Sequence, residues 1–64
     1  MIRQEIVKLD GKVIDKKILD EIQKSEDVKA IRDNGMDATH IGKRWYVVVF
    51  HSGEGISVYV NQFI

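Results

Sequence analysis

The chain has 64 residues, ten basic against ten acidic, with no cysteine and no proline. Such a length allows one domain, residues 1–64, and the missing cysteine excludes disulfides, thiolate zinc sites and a cysteine nucleophile. The neutral balance argues against a generic nucleic-acid binder and against an acidic nucleic-acid mimic.

A domain this small buries only about 60% of the surface its unfolded chain exposes. Disulfides, a metal or association with another chain usually compensate. Only the last is left open here. Met1 is the expected start of a small open reading frame. Arg3 and Glu5 place charge where a signal peptide needs apolar residues. The longest apolar run, Trp45 to Phe50, is far short of the roughly 20 residues of a membrane span. No membrane association and a cytoplasmic location are expected.

Ile2 to Leu9 reads as a strand with Ile6, Val7 and Leu9 as its apolar part. Asp10-Gly11 marks a turn, leading either into a tight hairpin with Lys12–Ile14 or straight into a helix. The helix is the clearest local element. Ile14, Ile18, Leu19 and Ile22 share one face at helical spacing. Asp15 is placed as N-cap, and Ile14 with Leu19 as a hydrophobic staple. Lys16, Lys17, Asp20, Glu21 and Lys24 form the solvated face, and the helix is expected to fade near Ser25–Asp27 after about three turns.

Val28 to Asp33 reads as a strand ending in Asn34-Gly35, the strongest hairpin signal in the chain. A two-residue turn there sets Asp33 opposite Met36 and Arg32 opposite Asp37. Ile31 then faces Ala38 and Val28 faces Ile41. The next strand is expected over Ala38–Phe50, with Gly42 marking a bulge or bend. Val47, Val48 and Val49, flanked by Tyr46 and Phe50, make strand the firm assignment. His51 to Gly55 is a turn, and Ile56 to Ile64 the final strand.

All five aromatic residues (Trp45, Tyr46, Phe50, Tyr59 and Phe63) lie in the last twenty positions, which carry one charged residue, Glu54. Period-two alternation divides this segment into two faces. A Gly53-Glu54 two-residue loop puts Trp45, Val47 and Val49 with Ile56, Val58, Val60 and Ile64. Tyr46, Val48 and Phe50 then join Tyr59 and Phe63. A three-residue Gly53-Glu54-Gly55 loop exchanges the sets, leaving Trp45, Val47, Val49, Tyr59 and Phe63 outside. Either way both faces are apolar, and one helix covers only one. An antiparallel sheet normally keeps its second face polar, so the surplus face is a candidate partner surface. The competing expectation is that the N-terminal segment folds over it and makes it core.

Motifs for chemistry are weak. His40 and His51 stand eleven residues apart without cysteine, whereas zinc needs three or four convergent ligands. His51, Ser52 and Glu54 supply nucleophile, base and acid by residue type only, in a loop without a pocket. Asp33 and Asp37 flank a turn. Gly53-Glu54-Gly55 lacks the lysine and the helix of a phosphate loop. Lys43-Arg44-Trp45 followed by Tyr46 mixes cations with rings, the combination that grips single-stranded nucleic acid.

The expected fold is α+β: a two-layer β-α-β-β-β domain, with one helix packed on one face of an antiparallel sheet. The expected function is a small non-enzymatic binding or regulatory protein without cofactor, metal or catalytic residues. It would self-associate as a homodimer or bind a protein partner through Tyr46, Val48, Phe50, Tyr59 and Phe63, or along the uncharged edge of the last strand. Size suggests a bacterial or phage regulator. The alternative is a nucleic-acid-binding module using Lys43, Arg44 and Trp45.

Overall fold

The computed structural model describes residues 1–36 and 38–61. The elements are α1 (Arg3–Ile6), a 3₁₀ turn (Val7–Leu9), β1 (Val13–Ile14), α2 (Lys16–Gln23), β2 (Val28–Met36), β3 (Lys43–Phe50) and β4 (Gly55–Asn61). The strands form one mixed sheet in the order β1-β4-β3-β2, with β1 parallel to β4 and the other pairs antiparallel. The fold is broadly α+β, but the all-antiparallel sheet opened by a strand at Ile2–Leu9 is corrected.

Residues 3–9 are helical because their first turn finds acceptors. The Ile2 amide donates to Glu5 Oε1 at 3.0 Å, and the Arg3 amide to Asp27 Oδ2 at 2.9 Å. Arg3 also forms an ion pair with Glu54 and lies 5.7 Å from the centroid of the Phe50 ring. Ile6 is thereby driven fully into the core, with Val7 and Leu9 packed beside it. Gly11, at φ 76°, turns the chain back along β4. Its amide donates to the Ser57 carbonyl at 2.7 Å, and the Lys12 carbonyl accepts from Tyr59 at 3.0 Å. Lys12–Ile14 thus joins the sheet beside β4 and does not form a hairpin with residues 2–9.

The helix α2 matches its local signals. Asp15 Oδ1 accepts from the Ile18 amide at 2.8 Å, and Leu19 and Ile22 are buried. Eight residues make it about two turns, shorter than expected. The core gathers Ile6, Ile14, Leu19 and Ile22 against Val48, Phe50, Ile56 and Val58.

The Asn34-Gly35 hairpin is also corrected. A type I′ turn needs positive φ at both central residues. Gly35 has φ 78°, but no described non-glycine residue has positive φ. The Gly35 amide instead donates to Asp33 Oδ1 at 2.8 Å, and the ladder is irregular between Asp33 and Met36. The dipeptide makes a bulge within β2, and the strand continues to Met36. Ile31 pairs with Val48 and Val28 with Phe50, in place of Ala38 and Ile41. This register sets large apolar residues side by side over the helices. Asp37, expected opposite Arg32, lies outside the described residues. Gly42, at φ 79°, ends the connection and does not bend a longer strand.

The β3–β4 turn is His51-Ser52-Gly53. The Phe50 amide donates to the Glu54 carbonyl at 2.8 Å, the Gly53 amide to the Phe50 carbonyl at 3.0 Å, and Gly53 has φ 93°. A three-residue loop closed by a left-handed glycine is a favoured hairpin connection. Both expected pairings were displaced toward Gly55, but the parity of the three-residue alternative is the one adopted.

Candidate functional site

Pairing fixes which side chains share a face. Tyr46 pairs with Val58, Val48 with Ile56 and Arg44 with Val60. These point toward the helices. Trp45 pairs with Tyr59, Val47 with Ser57 and Val49 with Gly55. These point the other way, together with Ala30 and Arg32 of β2, opposite Val49 and Val47, and Val13 of β1, opposite Tyr59. Both helices place their buried residues in the inner core. Among the described residues no helix lies on the outer face.

The partner surface read from the sequence is therefore divided by the sheet. Val48 is 0% exposed and Phe50 1%, so neither presents a surface, and Tyr46 packs against the same core. Of that set Tyr59 alone stands on the outer face, and Phe63 lies outside the described residues. Trp45, assigned to nucleic acid, is the large outer residue beside it. The uncharged edge of the last strand is corrected too: β4 lies between β1 and β3. The long free edge is β2, where Lys29, Arg32 and Asp33 and two register shifts oppose strand addition.

The outer face runs from thick to thin. At one end Trp45 and Tyr59 are cross-strand neighbours, and the His40 ring stacks on Tyr59 with centroids 3.7 Å apart and planes at 11°. Tyr59 is only 8% exposed. The other end carries Val49, Gly55 and Ala30. Val13, 45% exposed, and Ile41, 85% exposed, are wet apolar residues beside the thick end. His40 gave no sequence signal, because its partner is remote in the chain. Among the described residues the buried indole N–H of Trp45 finds no hydrogen-bond acceptor.

The described strand residues of this face include the cations Arg32 and Lys43 and no carboxylate. Arg44 is on the inner side, donating to both carboxylate oxygens of Asp33 at 3.1 and 2.9 Å. The Gly35 amide and, after it, the Arg44 guanidinium hold the Asp33 carboxyl below its ordinary pKa. Arg44 is thus not aligned with Lys43 and Trp45 as a nucleic-acid contact.

Among the described residues no three His, Cys, Asp or Glu side chains converge for a metal. His51 is exposed in the loop, and Glu54 is held by Arg3. A surface cleft of about 530 Å³ lies between Met1, Ile2, Glu5, Lys24, Glu26 and Asp27. Two of its carboxylates, Glu5 and Asp27, already cap backbone amides. No described helix is long and apolar enough to cross a membrane. Comparison with family models, with curated proteins and with solved structures returns no match.

Proposed function

We propose that this chain is a small non-enzymatic binding protein, working in the cytoplasm, whose outer sheet face engages a protein partner. The observation that carries the reading is the alignment of Trp45, Val47, Val49 and Tyr59 on a face to which neither helix packs. Water is a poor neighbour for such a face, and burying it against protein removes apolar area at about 25 cal/mol per Å². Tyr and Trp are enriched at such contacts. The non-enzymatic part of the reading is supported by the carboxylates, of which Glu5, Asp15, Asp27, Asp33 and Glu54 accept structural hydrogen bonds.

A photo-cross-linking residue in place of Val47, used in cells that make the protein, tests the face. The same residue in place of Lys17, on the solvated side of α2, is the control. A discrete polypeptide adduct is expected at 47 and not at 17. The reading falls if 47 gives no adduct, or the same adducts as 17.

A second reading has its own observation: Arg32 and Lys43 flank Trp45 and Val47 on a face without described carboxylates. Single-stranded nucleic acid uses rings for bases and cations for phosphates. Binding should weaken steeply with salt and be lost in Lys43→Ala, while Arg44→Ala changes it little. Salt-independent or absent binding removes this reading.

A further inference from the structure

We propose that Asn34-Gly35 is a self-modification site, where the Asn34 side-chain amide is lost by cyclisation onto the Gly35 nitrogen, and that the Asp33 carboxylate holds this reaction back in the fold.

The step needs only hydroxide and water. The Gly35 amide gives its proton to hydroxide, and its nitrogen adds to Cγ of Asn34. The Cγ–Nδ2 bond breaks, and the side-chain nitrogen leaves as ammonia with a proton from water. Water then opens the cyclic imide. Opening at Cγ leaves aspartate. Opening at the main-chain carbonyl of Asn34 leaves isoaspartate, with an extra methylene in the backbone.

Three observations favour this site. Asn34 is exposed on β2, an edge strand of the sheet. The next residue is glycine, so no Cβ screens the nitrogen, and nothing lies within 4 Å of where a Cβ would stand. Finally, Asn34 and Gly35 stand in the register shift between the Asp33–Tyr46 and Met36–Arg44 pairs, where the ladder is disrupted. Asn61, the other asparagine, is followed by Gln62 instead.

The same bulge carries the restraint. The Gly35 amide donates to Asp33 Oδ1 at 2.8 Å. Cyclisation requires that this proton leave and that the nitrogen turn from the carboxylate to Asn34 Cγ. Hydrogen bonds to an ionised acceptor are the stronger ones. A carboxylate beside the nitrogen also disfavours the negative charge it must develop. Arg44 of β3 fixes Asp33 from across the ladder, at 3.1 and 2.9 Å, so the full restraint exists only while β2 and β3 are paired. The Gly35 amide and Arg44 hold the Asp33 carboxyl below its ordinary pKa, which makes it a poor base for an amide proton.

Local opening of the β2 edge therefore releases the pair to react. One carboxylate added to ten basic and ten acidic residues takes the formal net charge from 0 to −1. Isoaspartate also lengthens the backbone between Asp33 and Met36, against the register that pairs Met36 with Arg44.

Peptide mapping by mass spectrometry during incubation at mildly alkaline pH, with the chain folded and in urea, reads the rate at Asn34. Ion exchange reads the added charge. Asn34 is expected to convert in urea and at least about 10-fold more slowly in the fold, the worth of one hydrogen bond to a charged group. Asp33→Ala should raise the folded rate about 10-fold by removing that bond and change the rate in urea much less. Arg44→Gln, which keeps the carboxylate but frees it, should raise the folded rate by a smaller factor, and it replaces the Asp33 variant if that one fails to fold. Asp15→Ala lowers stability through the distant helix cap and should leave the folded rate unchanged. No conversion in urea overturns the proposal, as do equal rates in the fold and in urea. A folded rate that Asp33→Ala leaves unchanged or lowers overturns the role of Asp33, and so does an equal rise in Asp15→Ala.

Discussion

Which side of the sheet is core can be decided with two neighbouring valines. Val48 is fully buried among helix residues, and Val47 is half-buried on the outer face. Val48→Ala removes two buried carbons, worth about 1.6 kcal/mol at 0.8 each. A residual cavity of roughly 50 Å³ adds about 1.2 kcal/mol at 24 cal/mol per Å³. The expected loss of about 2–3 kcal/mol is large for a chain whose total stability should be about 3–10 kcal/mol. At about 2.1 cal/mol/K per residue the unfolding entropy is near 0.13 kcal/mol/K, so Tm should fall by roughly 15–20 °C. Val47→Ala leaves no enclosed cavity and removes methyls already partly wet in the monomer. It should cost below about 1 kcal/mol, or roughly 8 °C. The assay is urea unfolding and a thermal melt at 1 µM, repeated at 200 µM. A cost for Val47→Ala that grows with concentration is the mass-action signature of association on the outer face. If Val47→Ala at 1 µM costs as much as Val48→Ala, the assignment of inner and outer faces is wrong.

Asp15→Ala should cost about 1 kcal/mol in urea unfolding, since the carboxylate caps the Ile18 amide, and Asp15→Asn should recover most of it. Gly53→Ala should destabilise by about 1 kcal/mol because φ is 93° although nothing lies within 4 Å of the added carbon; a neutral result would mean the turn is not left-handed there. Asp33 titrates below its ordinary value in the fold, so its ionised form is favoured by folding. Its contribution is complete above the unfolded pKa, near pH 4, and is lost as pH falls through the lower folded value. In Asp33→Asn this part of the acid sensitivity should vanish from stability curves between pH 6 and pH 2, and an unchanged curve would refute it. Trp45→Phe should be nearly neutral in monomer stability, because removing an indole N–H that finds no acceptor among the described residues offsets the lost ring area; a loss above about 2 kcal/mol would show that the N–H is satisfied.

Local chemistry was legible from residue order alone. Helix α2, its Asp15 cap and its buried Leu19 and Ile22 depend on neighbours within one or two turns. The strand over Tyr46–Phe50 and its hairpin to the last strand follow from branched and aromatic residues, although the strand begins at Lys43 and not at the expected Ala38. The alternation of Trp45, Val47 and Val49 with Tyr46, Val48 and Phe50 was legible as two apolar sets. What the order left open was which residues of the last strand share a face with Trp45, Val47 and Val49. That depended on the His51–Gly53 turn, since moving a turn by one residue exchanges faces along the whole hairpin.

Tertiary structure decided the remainder through contacts between residues far apart in the chain. Arg3 bound to Asp27 and Glu54 makes the N-terminal segment helical, although its apolar pattern suits a strand. Asp33 turns the Asn34-Gly35 signal into a bulge, because the longer β2 sets Ile31 beside Val48. With both helices drawn to one side by Ile6, Leu19 and Ile22, the other side keeps Trp45, Val47, Val49 and Tyr59. Period-two spacing determines which residues stand together, whereas only the docking of the helices determines which of the two groups is withdrawn from water.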